Sequence, residues 1–329
     1  MFDYLRLTVL RSLRMFFTLA RVMVPIMVVV KIAYETGIIQ WLGHALTPLM
    51  GLLNLPAEAG IIITTTALSN IYGGIAVIAS LGDSLSLNQA QLSAIGATML
   101  IAHNLPVEQA IVRKAGASFW FTFALRVGTA FLYSALISWS CLYLNILQEP
   151  VSMAWLYGQA PVHDSAASMW GHWLLGSLKS LFFTWLIILG LVLILDFFER
   201  IGLNRLFTRL LTPILRFSGL EPSVAPVTTV GVLLGLSYGG ALIIEATKRE
   251  NYSPRTRFLA LSWLSLCHSL IEDTLLILAL GANLWIILVG RVVLTILLIG
   301  LLAHLSRPGT RIYQQFFTSM KLTTTDNAV

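Results

Sequence analysis

The chain contains Ser69-Asn70-Ile71-Tyr72-Gly73-Gly74 in its first half and Ser237-Tyr238-Gly239-Gly240 in its second half, with the Tyr-Gly-Gly segments 166 residues apart. Other features recur at nearly the same offset, which is the signature of an internal repeat. The recurring pairs are Phe16-Phe17-Thr18 with Phe182-Phe183-Thr184, Leu46-Thr47-Pro48-Leu49 with Leu211-Thr212-Pro213-Ile214, His103 with His268, Glu108 with Asp273, and Arg126 with Arg291. We therefore predict that the chain is a duplication of one structural unit.

The composition of the 329-residue chain indicates an integral membrane protein. Hydrophobic residues make up 57% of it and charged residues only 11%, whereas a soluble domain carries about 25% charged residues. Apolar runs such as Phe16 to Val30 and Leu181 to Leu195 approach the ~20 residues that span a bilayer. The stretch from Phe16 to Tyr34 is too long for the apolar core of a signal peptide, and no small-residue cleavage site follows it. Most of the net charge of +6 lies between the runs, where it reports topology rather than nucleic-acid binding.

The distribution of Lys and Arg predicts the orientation of the chain. Segments 35–56, 81–88, 145–172 and 281–284 contain neither residue and are expected outside, whereas the basic clusters are expected in the cytoplasm. This threading gives three crossings per half. Because three is odd, the second copy is inverted, and both termini of this multi-pass protein lie on the cytoplasmic side of the inner (plasma) membrane. The predicted crossings are 13–34, 89–112, 118–144, 173–197, 257–280 and 285–305.

Two further apolar segments, 57–80 and 223–246, are predicted to be re-entrant helical hairpins, since a hairpin leaves its flanks on the same side. The alternative is a straight crossing, which gives a parallel repeat but places a basic cluster outside. Segments 40–55 and 204–220 are expected to be amphipathic or surface-lying helices that lead into the hairpins. The predicted fold is an all-α membrane helix bundle with a first repeat at 1–165, an inverted second repeat at 166–306 and a cytoplasmic tail at 307–329.

Breaks in helices at membrane depth predict where a ligand binds. A break frees backbone groups that hydrocarbon cannot satisfy, so it persists only where protein, water or a ligand supplies partners. Broken segments at corresponding positions of inverted repeats are typical of binding sites near the bilayer midplane. The alternative is close helix packing by small residues. The candidate substrate-binding residues in the hairpins are Ser69, Asn70, Tyr72, Gly73, Gly74, Ser237, Tyr238, Gly239 and Gly240.

A second candidate group lies in residues 103–108 and their counterparts at 268–273. We expect His268 and Glu272 to share a helical face, because they are four residues apart, and Pro106 to break or kink the first copy. Ionisable residues at membrane depth are costly and usually functional: these can bind substrate, relay protons or hold a cation. The alternative is a polar network that locks the two halves together. The candidate substrate-binding residues here are His103, Asn104, Glu108, His268, Glu272 and Asp273.

Two arginines, Arg126 and Arg291, fall inside the last predicted crossing of each half. A buried arginine needs a partner, so we expect either a structural ion pair with one of the acids above or contact with an anionic group of a substrate. The two cysteines, Cys141 and Cys267, have no metal-ligand spacing. They are expected to be small apolar residues within helices.

Several function classes find no motif in the chain. It has no phosphate-binding Gly-x-x-x-x-Gly-Lys-Ser/Thr loop, and no dinucleotide fingerprint, zinc-protease helix or nucleophile elbow. We therefore predict a protein that is not an enzyme and has no cofactor and no metal centre. The expected partners are the lipid bilayer and a small polar solute or ion, with no nucleic acid. The sequence leaves open a homo-oligomer or a membrane partner subunit.

The hairpin motifs and the segment His103-Asn104-Leu105-Pro106-Val107-Glu108 resemble the Gate, or nucleoside-recognition, domain family, and the likeness covers nearly the whole chain as two Gate-like copies. That family includes concentrative nucleoside transporters, the membrane part of B-type ferrous-iron transporters and spore-maturation membrane proteins. The resemblance implies a transporter that moves a small polar solute or ion by alternating access, with nucleosides or divalent metal ions as candidates and proton coupling through His and carboxylates. A GTPase domain and a clear match to the cysteine motif of the iron transporters are missing. The alternative from another class is a non-transport membrane scaffold or partner subunit.

Overall fold

A computed structural model describes residues 2–82, 85–157, 166–236, 243–244 and 252–307. Its helices are α1 (Phe2–Glu35), α2 (Ile38–Leu52), α3 (Ala59–Leu68), α4 (Ile71–Leu81), α5 (Gln89–Ala102), α6 (Leu105–Lys114), α7 (Phe119–Tyr143), α8 (Ala154–Tyr157), α9 (Ala166–Arg200), α10 (Leu203–Phe217), α11 (Ala225–Leu234), α12 (Pro254–Leu266), α13 (Glu272–Ala279) and α14 (Arg291–Leu305), the last preceded by a π-helical turn (Trp285–Gly290). No strand occurs among these residues, although one isolated bridge joins Asn88 to Pro150. The all-α class expected from the sequence is confirmed.

The chain divides into two compact units, each drawn from both halves of the sequence. Unit 1 comprises Met1–Asn104, Ala130–Ile201 and Glu272–Ile287. Within it α1 packs against α4 and α9, and α3 packs against α2, α4 and α5. All residues of α5 from Leu92 onward are buried, so this helix is enclosed by protein rather than amphipathic.

Unit 2 comprises Leu105–Thr129, Gly202–Ile271 and Leu288–Val329. Within it α11 packs against α10 and α12, and α14 packs against the same two helices. These contacts surround the described part of α12, whose residues from Phe258 to Leu266 are all buried.

Side chains at the start of α12 form hydrogen bonds with neighbouring segments of unit 2. Arg255 donates from Nε to the Ser306 carbonyl at 2.8 Å and from Nη2 to the Ala303 carbonyl at 2.9 Å. A cation that bonds the last free carbonyls of a helix stabilises its C-terminus, so Arg255 caps α14. Thr256 donates to the Glu221 carboxylate at 2.6 Å, ahead of α11.

Two helices among the described residues are long and apolar enough to cross a membrane. Helix α7 has 25 residues and the segment Trp285–Leu305 has 21, which correspond to about 38 and 32 Å of helix against ~30 Å of hydrocarbon. Their ends carry exposed aromatic residues, namely Trp120 (75%), Tyr143 (90%) and Trp285 (73%). Aromatic residues at both ends are typical of helices anchored at membrane interfaces. Both helices coincide with the last predicted crossing of each half.

Two other predicted crossings are interrupted. The segment predicted at 89–112 consists of α5 and α6, and the one at 257–280 consists of α12 and α13. The expectation that His268 and Glu272 share a helical face is therefore wrong. Helix α12 ends at Leu266, and Ser269 has a positive φ of 47°, which no α-helix contains. For the same reason Cys267 caps α12 rather than lying inside it, whereas Cys141 lies within α7 as expected.

The first predicted hairpin consists of α3 and α4, which pack against each other across a break at Ser69 and Asn70. In the second, α11 forms the first arm and ends at Gly235. Residues 237–242 and 245–251 are outside the described part of the chain, so the predicted site residues Ser237, Tyr238, Gly239 and Gly240 carry no structural description. Helices α2 and α10 occupy the segments predicted to lead into the hairpins.

Candidate functional site

The break between α3 and α4 is held by side chains that replace helical hydrogen bonds. Ser69 Oγ donates to the carbonyl four residues earlier at 2.7 Å. Asn70 Oδ1 accepts from the Gly73 N–H at 3.0 Å and so forms the N-cap of α4. A Cβ on Gly74 would overlap Thr66 Oγ1, so glycine at this position permits the close approach of the two helices. These four predicted residues build the break itself.

The break between α5 and α6 is tied to the same hairpin. The Asn104 N–H donates to the Thr66 carbonyl at 3.1 Å, one turn before the hairpin break. Asn104 has φ 50°, a left-handed conformation that asparagine tolerates better than most residues. The predicted site residues at 69–74 and at 103–104 are therefore joined within unit 1.

His103 connects this break to an acid from the second half of the chain. Its Nδ1 lies 2.9 Å from the Met99 carbonyl, and its Nε2 lies 3.7 Å from Asp273 Oδ2. A carbonyl only accepts, so Nδ1 carries a hydrogen. In a neutral imidazole Nε2 would then present a lone pair to the carboxylate. A proton on either group turns the repulsion between this lone pair and the carboxylate into attraction.

Tyr72 completes a group that we call the unit 1 cluster: Tyr72, His103, Glu272 and Asp273. Tyr72 is buried in the first turn of α4, and both acids, in the first turn of α13, interact electrostatically with it. Carboxylates are favoured in the first turn of a helix. The cluster combines two carboxylates, an imidazole and a phenol, so it is rich in hydrogen-bond acceptors.

The unit 2 cluster consists of Glu108, Arg126 and His268. One oxygen of Glu108 lies 2.5 Å from Arg126 Nη1, and the other lies 3.2 Å from His268 Nε2. The three residues are 4%, 0% and 1% exposed. His268 Nδ1 lies 2.6 Å from the Leu264 carbonyl, so this imidazole also turns its second nitrogen to a carboxylate. The expected pairing of Arg126 with one of the acids is present here.

The break that carries His268 is fixed by tertiary contacts within unit 2. The Leu270 N–H donates to the Val232 carbonyl of α11 at 2.9 Å. A Cβ on Gly235, which ends α11 with φ 105°, would lie 3.0 Å from Ser269 Oγ. The break therefore depends on the close approach of α11 to residues 269–270.

In both His–acid pairs, the histidine and the acid come from different halves of the chain. His103 of the first half faces Asp273 of the second, and His268 of the second half faces Glu108 of the first. The four residues are the counterparts found from the repeat. The sequence identified each residue but did not indicate that each histidine meets the acid of the other half.

Arg291 is fully buried and lies against Cys267. Its guanidinium hydrogen-bonds the Cys267 sulfur, and Thr295 hydrogen-bonds the same sulfur. Sequence reasoning missed this contact because Cys267 was expected inside a helix. The position of Cys267, directly before His268, could have indicated that it lies near the candidate site.

Gln109 was also missed. It is fully buried next to Glu108, and Thr122 Oγ1 donates to its Oε1 at 2.7 Å. This bond joins α6 to α7, the helix that carries Arg126. A glutamine adjacent to a buried acid, in a segment otherwise expected to be lipid-compatible, was the signal that could have identified it.

These features define a helical membrane protein with broken helices and two His–acid clusters, one buried and one partly exposed. Residues 16–118 match the family model described as Gate, nucleoside recognition, so the resemblance expected from the sequence is confirmed over this part of the chain, which lies within the first of the two expected copies. It is similar to the "Uncharacterized membrane protein YvoD" of Bacillus subtilis (strain 168), with 29% identity over 291 residues, 87% of this chain and 90% of that protein. No solved structure matches the chain. The Gate match indicates a membrane protein with a transporter-like role.

Proposed function

We propose that the protein is a multi-pass inner-membrane transporter that moves a small polar solute or ion by alternating access, coupled to protons. Its two copies, 1–165 and 166–306, have opposite orientations, with three crossings and one re-entrant hairpin each and both termini in the cytoplasm. The solute binds at the helix breaks that carry the unit 1 cluster.

The duplicated architecture is supported by local conformations that recur at the offset of the sequence repeat. Helices α2 and α10 both begin after a left-handed glycine, Gly37 with φ 76° and Gly202 with φ 71°. The His-containing breaks both contain a non-glycine residue with positive φ, Asn104 and Ser269. The charge distribution supports inversion of the second copy, since the basic-free segment 35–56 corresponds to an arginine-rich one.

The observation that carries the proposal is that each histidine at a helix break pairs with the acid from the other half of the chain. Breaks at membrane depth need partners, and paired breaks in repeated halves are a feature of transporter binding sites. In unit 1, the Asp273 side chain is 14% exposed, so the acceptor-rich cluster is partly open to a ligand. A buried polar network without a transport role would favour complete burial.

Proton coupling follows from the geometry of the imidazoles. In each pair a proton between Nε2 and the carboxylate removes the repulsion between their lone pairs. A solute that donates hydrogen bonds to Asp273 can replace that proton, so binding of the solute and release of the proton are linked. Histidine is suited to this exchange near neutral pH.

Nucleosides are the first candidate solutes, because their hydroxyl and amino groups donate hydrogen bonds and the matching family is described as nucleoside recognition. Divalent metal ions are the second, since an imidazole next to carboxylates provides ligands for a cation.

Transport is tested by uptake of labelled nucleosides and of divalent metal ions into liposomes that contain the purified protein, with and without a pH gradient. Asp273→Asn is expected to lower gradient-driven uptake by about tenfold or more, the size of a typical coupling between two sites. The control is Glu149→Gln, which changes an exposed carboxylate and is expected to leave uptake unchanged. Folded protein that takes up none of these solutes would contradict transport and favour a scaffold or partner subunit.

A further inference from the structure

Two serines on α12, Ser262 and Ser265, are fully buried, and their hydroxyls find no hydrogen-bond partner among the described residues. They are three residues apart and therefore project from the same face of the helix. An unsatisfied buried hydroxyl costs about 1–3 kcal/mol. Two of them on one face indicate that this face contacts something polar, and we call it the polar face of α12.

Most buried hydroxyls on other helices behave differently, although single hydroxyls on α4 (Ser80) and α7 (Ser134) also find no partner among the described residues. Thr66, Ser93, Thr98, Thr228 and Thr229 each donate to the carbonyl four residues earlier in their own helix. That bond is always available to a serine or threonine inside a helix. Because Ser262 and Ser265 do not make it, their hydroxyls point away from their own backbone and toward the surroundings of α12.

The polar face leads to the unit 2 cluster. Ser265 lies three residues before His268, whose Nε2 meets Glu108. The opposite end of α12 begins in the basic stretch that includes Arg255 and Arg257, which the positive-inside rule places in the cytoplasm. Ser262 and Ser265 therefore lie between the cytoplasmic end of the helix and the buried His–acid pair.

The equivalent positions on α5 carry no hydroxyl. The counterparts of Ser262 and Ser265 at the repeat offset are Ala97 and Leu100, which are apolar and fully buried on α5. A hydroxyl pair that served only to pack a helix of this fold would be expected in both copies. Its presence in one copy alone suggests a function that differs between the two halves.

An aromatic pair lies on the side of the polar face, toward the basic end of α12. Phe258 lies four residues before Ser262 and so on the same side of α12. Its ring packs against that of Phe121 with the centroids 5.0 Å apart. Along the helix these two rings lie between its basic end and Ser262.

We propose that the polar face of α12 lines the passage by which water and a neutral polar solute reach the Glu108–His268 pair from the cytoplasm, and that the rings of Phe121 and Phe258 close this passage. A serine hydroxyl both donates and accepts, which suits water and the hydroxyl or amide groups of a solute. The passage of solute rests on the proposed transport function, whereas the passage of water does not.

The test is cysteine labelling of the full-length protein in sealed membrane vesicles of known orientation. Its only two cysteines, Cys141 and Cys267, are first replaced by alanine and serine, and Ser262→Cys, Ser265→Cys or Ala260→Cys is then introduced. Ala260 is equally buried on the opposite face of α12. A thiol that meets water forms the reactive thiolate more readily than one in apolar surroundings, so Ser262→Cys and Ser265→Cys are expected to react about tenfold faster than Ala260→Cys with a small methanethiosulfonate applied from the cytoplasmic side.

A second variant tests the closure. Phe258→Ala is expected to accelerate labelling at position 262 and to leave labelling at position 260 unchanged. Equal rates at positions 260, 262 and 265, or labelling only from the outer side, would overturn the proposal. Thermal denaturation of each variant establishes that it is folded. Because labelling requires no transported solute, fast labelling combined with absent uptake would refute the proposed function and retain the water passage.

Discussion

The His103–Asp273 pair of unit 1 and the His268–Glu108 pair of unit 2 have the same arrangement but differ in burial. In both, a histidine at a helix break bonds a carbonyl through Nδ1 and turns Nε2 to an acid. The unit 1 pair is separated by 3.7 Å and is partly exposed, whereas the unit 2 pair is separated by 3.2 Å and almost fully buried. The unit 2 acid is also held by Arg126. The difference shows how a repeated motif can supply one adaptable site and one rigid site.

The largest effect is expected when the arginine that distinguishes the two pairs is removed. Arg126→Ala leaves Glu108 buried without its guanidinium, and breaking a buried ion pair in this way costs about 3–5 kcal/mol. The free energy of unfolding, measured by denaturant titration in detergent micelles, should fall by that amount. Arg113→Ala, which removes an exposed arginine of α6, is the matched control.

The double variant Arg126→Leu/Glu108→Leu refines this result. Replacing both partners of a buried pair by apolar residues is often nearly neutral, so it should recover most of the loss. A double variant as unstable as the single one would mean that Arg126 acts through other contacts.

A smaller effect should separate the two acids. Glu108→Gln leaves Arg126 as a buried charge and is expected to cost about 3 kcal/mol, whereas Asp273→Asn should cost about 1 kcal/mol, as for a partly exposed pair. The measurement is the same denaturant titration. Equal losses would show that the two pairs contribute alike to stability and that the contrast in burial has no energetic consequence.

The smallest effect concerns the residues with positive φ that follow the two histidines. Ser269→Gly should stabilise the protein by about 1 kcal/mol, because serine in the left-handed region carries a steric cost that glycine avoids. Asn104→Gly should change little, because asparagine tolerates this conformation. Melting temperatures of the two variants, measured side by side, test the difference. An equal or larger gain at Asn104 would contradict it.

Some of this architecture could be predicted from the sequence. Composition and apolar runs were sufficient to predict the all-helical class. They also predicted α7 and the Trp285–Leu305 segment as membrane crossings, because lipid-compatible helices need long apolar stretches. The hairpin break at Ser69 and Asn70 could also be predicted, since Ser, Asn and Gly stabilise helix ends locally. Pairing of Arg126 with an acid was expected because a buried guanidinium cannot remain uncompensated.

The break after α12 could not be predicted in the same way. Residues 267–271 are Cys-His-Ser-Leu-Ile, with no proline or glycine, and by local preference they continue a helix. The break is held instead by the tertiary bond from Leu270 to Val232. The pairing of each histidine with the acid of the other half could not be predicted for a related reason. A repeat offset shows which residues are equivalent, but it does not show which of two equivalent acids a histidine meets.

The contact made by Arg255 has a consequence for how this protein diverges over evolution. The arginine holds the end of α14 through the main-chain carbonyls of Ala303 and Ser306, and every amino acid supplies a carbonyl. Substitutions at positions 303 and 306 that the buried surroundings accommodate therefore need no compensating change at 255. Among relatives of this chain, positions 303 and 306 should therefore vary without regard to position 255, whereas the arginine itself should be conserved.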